Sequence, residues 1–394
     1  MSEFENTLTL NDATRLTGPA SFNIMLKPGG SLCNLSCRYC YYLDKAEIYG
    51  GREPVMSEAM LETVVREYIA ANDVPEVTFN WHGGEPLLLG LDFYRKALEL
   101  EEKYAGGKTI HNTIETNGIL LDRAWADFFR KHGFLVGISI DGPREIHDKY
   151  RKDKGGAPTF EKVMRAVELL RTSGVDFNTL STINSASEGK GLEVYHFLKS
   201  IGSRYMQFLP VVEFVKGKPA PGSVSDVAFG RFLCDIFDEW VRNDVGRCFV
   251  GQFDAALASW CGVPPGICAF AETCGGNAVI EHNGDLYPCD HFVYPKYRLG
   301  NIAETSIREM MASPAQVRFG IDKRNALPSA CRKCRWLFAC HGECPQHRVH
   351  ALNALCRGYQ QFYAHVAPYM DVMKSLLTQG LSPAGVIPWA RNRG

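Results

Sequence analysis

Three cysteines, Cys33, Cys37 and Cys40, stand close together in the stretch CNLSCRYCYY, with no fourth beside them. Thiolates offered at x3 and x2 spacing from one tight loop suit three irons of a [4Fe-4S] cube and leave the fourth iron free to bind something else. A cluster with four cysteines only passes electrons, whereas an open iron holds a substrate. The alternative is a zinc site completed by a distant histidine, although an x3 gap followed by x2 and an aromatic is an uncommon way to build one.

A second field of cysteines lies far downstream. Its spacing is Cys274-x9-Gly284-x4-Cys289, then Cys331-x2-Cys334-x5-Cys340-x3-Cys344, then Cys356, with Cys268 placed shortly before Cys274. These eight thiolates are enough to close two further cubes. Spacing alone groups the near neighbours from 331 to 344, and a zinc ribbon is the competing reading of those four. Cys234, Cys248 and Cys261 read as small buried hydrophobes. Fourteen cysteines fit a cytoplasmic chain in which clustered thiols hold metal or do redox chemistry, because disulfides do not persist there.

These groups need a frame. From Ser21 to about Pro210, short β-rich runs alternate with helical patterns, as in successive βα units around a parallel sheet. The expected strands run from Phe22 to Met25, Val77 to Trp81, Thr113 to Thr116, Leu135 to Ile140, Phe177 to Thr182 and Tyr205 to Leu209. Helices are expected near 57–71, 91–105, 121–132, 159–173 and 191–200. Six strands are too few for a complete barrel, so a partial (β/α)6 barrel is expected, with a doubly wound sheet as fallback. In such folds the site lies in the loops after the strands. CNLSCRYC, HGGEP, TNG and DGP follow the first four strands and would share one mouth. A helical stretch near 226–245 leads into a Cys-, Gly- and Pro-rich region that metal would hold together, and a last amphipathic helix is expected near 359–378. The expected divisions are 1–225, a helical linker 226–260, a cysteine-rich domain 261–358, and a terminal helix and tail 359–394.

A chain of 394 residues exceeds what one core usually supports, and its 45% apolar and 22% charged fractions are globular. A formal charge of -1 argues against a nucleic-acid or membrane-surface partner and leaves a peptide or small molecule as the expected substrate. The opening MSEFENTLTLND has neither a basic nor an apolar region of a secretory signal, and no apolar run is long enough to span a membrane. A soluble cytoplasmic protein is expected.

CxxxCxxC with Tyr39 before its last cysteine resembles the hallmark of the radical S-adenosylmethionine (SAM) enzymes. The resemblance implies that SAM chelates the open iron and is cleaved to a 5′-deoxyadenosyl radical. It also implies that Gly83, Gly84 and Glu85 of WHGGEP meet the SAM ammonium. Ser139 and Arg151 are candidates for the SAM carboxylate, and Thr116 and Asn117 for the ribose. Tyr42, His82 and Leu209 are further candidates for lining the site. The downstream cysteines resemble the SPASM domain, an auxiliary Fe–S module. By that family's interleaved connectivity, Cys268, Cys274, Cys289 and Cys344 would hold one cluster and Cys331, Cys334, Cys340 and Cys356 the other, making three [4Fe-4S] clusters in all.

Together with TNGILL, VGISIDGPREIHDKYRKDKGG, NGDLYPCDHFVYPKYRLGNI and CRKCRWLFACHGECPQHR, these motifs resemble the anaerobic sulfatase-maturating enzymes. That resemblance implies oxidation of a Cys or Ser, in a C/S-x-P-x-R motif of an unfolded sulfatase polypeptide, to Cα-formylglycine. It implies a reduced flavodoxin or ferredoxin-type electron donor and a base at Asp290, whose pKa the neighbouring thiolates are expected to raise. Two other readings compete: a SPASM enzyme acting on a different ribosomal peptide, and a zinc-binding interaction protein.

Overall fold

The computed structural model describes residues 21–42, 45, 47, 48, 55–215 and 218–393; the reading of the N-terminal stretch 1–12 lies outside them. Its main strands are β1 (Asn23–Lys27), β2 (Glu76–Trp81), β3 (Thr109–Thr116), β4 (Leu135–Ser139), β5 (Phe177–Ile183), β6 (Tyr205–Pro210), β7 (Phe249–Val250), β8 (Asn277–Glu281), β9 (Asp285–Tyr287) and β10 (Gly300–Asn301). The longer helices are α1 (Glu58–Ala71), α2 (Gly90–Tyr104), α3 (Arg123–His132), α4 (Arg144–Tyr150), α5 (Phe160–Ser173), α6 (Gly191–Ser200), α7 (Asp226–Asn243), α8 (Gly251–Trp260), α9 (Ile307–Met311), α10 (Pro314–Asn325), α11 (Cys356–Thr378) and α12 (Val386–Arg391). Each of the six expected strands is present within a few residues of its expected ends.

The chain divides into two compact units, each discontinuous in sequence. The first comprises Met1–Ser139, Arg151–Phe177 and Thr273–Asn325. Its strands lie in the order β10-β9-β8-β1-β2-β3-β4. Pairing is parallel from β8 through β4 and antiparallel at β8–β9 and β9–β10. β8 is not among the strands expected from the sequence. It pairs with β1 along its whole length, placing Glu281 opposite Lys27 at the C-terminal ends of the two strands.

Alternation sets what each strand buries. In β2, Val77, Phe79 and Trp81 are buried and pack with Tyr94 of α2 and Trp125 and Phe129 of α3. Side chains of this size each contribute about 1.5–3 kcal/mol on burial. The helices start and stop on local chemistry. Ser57 accepts the Met60 N–H at the head of α1, and Asp122 accepts the Trp125 N–H at the head of α3. Gly133 closes α3 in a left-handed conformation, φ 65°.

The second unit comprises Ile140–Tyr150, Asn178–Glu272 and Ala326–Gly394. Within it β5, β6 and β7 pair in parallel. Its helical layer is α7 against α11, which approach so closely at Gly230 and Gly358 that a Cβ on Gly230 would sit 2.6 Å from the Gly358 backbone. In the core Phe253 stacks on Phe362, Phe237 meets Phe253, Phe362 and Tyr369 edge-on, and Trp240 packs tilted against Phe237 and Phe253. Among the described residues no helix is long and apolar enough to cross a membrane.

Candidate active site and cluster sites

The three-cysteine loop follows β1 in the first unit. Burial pushes the Cys33 thiol up to about 11, with the Leu35 N–H opposing and the Glu85, Cys37 and Cys40 charges adding. Cys33 is therefore within electrostatic reach of both Cys37 and Cys40. Thiols held in this way give up their protons when iron supplies the opposing charge, so the loop fits a cluster. The Leu35 N–H donates to Cys33 Sγ at 3.4 Å, and the Asn117 amide reaches the same sulfur at 3.9 Å.

The HGGEP segment packs its backbone on this loop. The Gly84 N–H donates to Gly30 O and the Glu85 N–H to Leu32 O. A Cβ on Gly84 would lie 2.1 Å from Leu32 O, so a side chain there would drive the loops apart. The close approach at Gly84 is thus to backbone. Glu85 is buried, and its Oε1 accepts from the Leu87 N–H at 3.0 Å and the Thr116 hydroxyl at 2.7 Å. Its Oε2 accepts from the Asn117 N–H at 2.8 Å and keeps acceptor capacity for a further donor. Burial raises the Glu85 pKa against these hydrogen bonds. Gly83, Gly84, Glu85, Thr116, Asn117 and Cys33 therefore form one connected edge. Arg151, buried, has its guanidinium 5.6 Å from the centre of the Tyr39 ring. Ser139 ends β4, half-buried. Leu209 belongs to the second unit, where it is exposed on β6.

Asp290 lies in a short 3-10 turn directly after Cys289. One carboxylate oxygen, Oδ1, is held by the Lys27 ammonium; the other, Oδ2, accepts from the Tyr41 hydroxyl. Lys27 is wholly buried at the end of β1, with its Nζ 3.3 Å from the centre of the Tyr42 ring. The Tyr42 hydroxyl donates to Glu281 Oε1, and Glu281 Oε2 lies 3.7 Å from His282 Nδ1. His82 accepts the Gly83 N–H at its Nδ1 and sets its Nε2 2.7 Å from Glu115. The expected rise in the Asp290 pKa is not what this surrounding produces. Burial raises it, but the Lys27, His82 and His291 charges outweigh burial and hold it well below the usual carboxylate range. Asp290 is thus an ionised acceptor kept in place by a cation.

Lys27, Tyr41, Glu115 and Glu281 were not among the expected site residues. A lysine closing the apolar strand NIMLK was the available signal, since a charge at such a strand end faces the mouth.

In the second unit, Cys331, Cys334, Cys340 and Cys356 line one cavity of about 270 Å³, together with Trp336, Tyr359 and Tyr363. Cys344 does not line it, and Cys356, distant in sequence, does. Burial pushes the Cys340 thiol up to about 12, with Glu343 and the thiols of Cys356 and Cys331 contributing. The turn from His341 to Glu343 is left-handed at three successive residues, and Arg348 braces it by donating to the carbonyls of all three. Cys356 opens α11, whose N-terminal dipole favours an anionic cluster. Four cysteines lining one cavity are the donor set that a [4Fe-4S] cube would take. Of the other expected set, Cys274 and Cys289 fall in the first unit and Cys268 and Cys344 in the second.

Family models match on both counts: the radical SAM superfamily over residues 28–189 and SPASM, an iron-sulfur cluster-binding domain, over 268–335. Fold and site define a radical SAM oxidoreductase with an appended iron–sulfur domain, the α/β fold class read from the sequence. The serine-type anaerobic sulfatase-maturating enzyme of Bacteroides thetaiotaomicron is 47% identical over 92% of this chain and 94% of its own length. The serine-type enzyme of Klebsiella aerogenes is 38% identical (91% and 88%), and a cysteine-type enzyme of Clostridium perfringens 32% (88% and 96%). The solved structure of native anSMEcpe with bound AdoMet and Kp18Cys peptide superposes with a TM-score of 0.83 at 32% identity, covering 90% of this chain and 99% of that one. The chain belongs to the family of anaerobic sulfatase-maturating enzymes. That membership sets aside the zinc-binding interaction protein.

Proposed function

We propose that this protein oxidises a serine of an unfolded sulfatase polypeptide to Cα-formylglycine in the cytoplasm, with Asp290 as the base. The observation that carries the reading is the placement of Asp290, an ionised carboxylate clamped by a buried lysine in the same unit as the three-cysteine loop. The serine preference is supported by the relatives: those named serine-type are 47% and 38% identical, those named cysteine-type 32–33%.

When bound, a [4Fe-4S] cluster and SAM supply a radical that takes one hydrogen atom from the substrate Cβ, and an auxiliary cluster accepts the remaining electron. Asp290 Oδ2 takes the hydroxyl proton, so that one hydrogen atom, one proton and one electron leave the CH–OH unit and the aldehyde remains. Lys27 keeps Oδ1 occupied, which directs the other oxygen to the substrate. Cys33, Cys37 and Cys40 hold the first cluster, and the two sets containing Cys344 and Cys356 hold the others. The free acceptor capacity of Glu85 suits the SAM ammonium, with Gly83 and Gly84 shaping the loop, and Arg151 with Tyr39 suits its carboxylate. Ser139, Thr116, Asn117, Tyr42, His82 and Leu209 complete the proposed cofactor surroundings. A reduced flavodoxin or ferredoxin-type protein is the proposed donor.

The test is anaerobic incubation of reconstituted enzyme with SAM, a reductant and paired S-x-P-x-R and C-x-P-x-R peptides, read by mass spectrometry. The serine peptide is expected to lose the mass of one dihydrogen as 5′-deoxyadenosine forms, faster than the cysteine peptide reacts. If 5′-deoxyadenosine forms while both peptides stay unchanged, the substrate assignment fails. Asp290→Asn is expected to keep SAM cleavage and to lower aldehyde formation by about a hundredfold or more, the usual worth of a general base.

A further inference from the structure

A base needs a free oxygen, and in this structure both oxygens of Asp290 are engaged. Their partners differ in how easily they leave. Lys27 is wholly buried, lies over the Tyr42 ring and sits beside Glu281 on the neighbouring strand, so withdrawing it would strand buried charges. Tyr41 is 39% exposed and belongs to the loop after Cys40, outside any strand or helix. Its ring meets Tyr42 edge-on at 5.8 Å and lies tilted by 30° against His291 at 4.8 Å between centroids, with Lys27 Nζ 5.8 Å from its centre.

We infer that the Tyr41 hydroxyl is a stand-in for the substrate hydroxyl: it occupies Asp290 Oδ2 in the free enzyme and yields that oxygen when the peptide binds. This rests on the reading of Asp290 as the base. An O–H leaves and an O–H replaces it, so the carboxylate never faces the site unsatisfied. A serine makes the exchange with nothing lost. A thiol is a weaker donor and makes the exchange at a loss. The exposed side of the ring gives the residue somewhere to go.

The test is a comparison of peptide affinities in holoenzyme with SAM bound and no reductant, using S-x-P-x-R and A-x-P-x-R peptides that differ only in the hydroxyl. In the wild type the hydroxyl must displace Tyr41 and is expected to add little affinity. In Tyr41→Phe, which keeps the ring, the preference for the serine peptide over the alanine peptide is expected to widen by about tenfold, or about 1.4 kcal/mol. An unchanged preference overturns the inference. Should the variant lose its iron, the structure of the wild-type holoenzyme with SAM and the serine peptide decides instead: Tyr41 turned away from Oδ2 supports the inference, and Tyr41 still bonded there overturns it. Adding reductant separates this from the reading beneath it. If Asp290→Asn forms aldehyde at the wild-type rate, the base assignment falls whatever the affinities show; if Asp290 is needed and the preference stays unchanged, only the role of Tyr41 falls.

Discussion

At the scale of single residues, the chemistry turns on how a carboxylate is kept charged inside a protein. Burial would push Asp290 toward protonation, and the charges of Lys27, His82 and His291 outweigh it. The arrangement carries its own hazard, because removing one partner of a buried pair leaves the other uncompensated. Lys27→Met is therefore expected to lower stability by about 3–5 kcal/mol in denaturant titration. Aldehyde formation should fall with it, because Oδ1 is no longer anchored, while SAM cleavage measured as 5′-deoxyadenosine continues. If the variant were as stable as the wild type and formed aldehyde normally, Lys27 would be no more than a filler at a strand end. Asp290 was legible in the sequence only through the resemblance, since an aspartate in a turn has many ordinary uses. Lys27 showed only as a charge closing an apolar strand, because its partner lies 263 positions away.

At the scale of elements, the parallel strands bring these residues together, and a buried polar chain ties β2, β3 and α2. Trp81 Nε1–H donates to Asn112 Oδ1 at 2.6 Å, and the Asn112 amide donates to Glu101 Oε2 at 2.7 Å. Among the described residues Glu101 Oε1 has no hydrogen-bond partner, and burial pushes the Glu101 pKa up to about 8. The folded state thus favours the neutral acid more than the unfolded chain does. Its stabilisation is complete below the ordinary value of 4.5 and is lost as pH rises toward 8, a change on the order of 4 kcal/mol. Glu101→Gln should remove most of that decline in denaturant titrations at pH 5 and pH 8. An equal decline in the variant would place its cause elsewhere. The alternation behind β1 to β6 was plain in the sequence because each strand is followed by a helix with its own apolar stripe. β8 was missed although NAVIEHNGDLY carries a hairpin signal, an Asn-Gly pair between two β-prone runs. It was obscured by the cysteines and glycines around it, which read as a module without regular elements.

At the scale of the whole molecule, metal and fold are one system. A small cysteine-rich segment has too little apolar surface to order itself, so cluster binding there is folding free energy as well as electron chemistry. In the second unit the four thiols that share a cavity come from 331 to 340 and from the first residue of α11, so one cluster would pin the cysteine-rich segment to the helix that packs on α7. Spacing alone favoured Cys344 over Cys356, and the cavity favours Cys356. Changing Cys33, Cys37 and Cys40 to alanine should leave about two thirds of the iron and abolish SAM cleavage. Changing Cys331, Cys334, Cys340 and Cys356 should also leave about two thirds of the iron, while SAM cleavage continues. Hydrogen exchange adds the decisive contrast. The second variant should lose protection around 329–357 and at the start of α11, because the cavity's thiols no longer meet through iron, and β1 to β3 should exchange as in the wild type. Loss of protection at β1 to β3 as well would mean that the cluster stabilises the chain globally, and full protection around 329–357 would mean that Trp336, Tyr359 and Tyr363 hold that segment without metal.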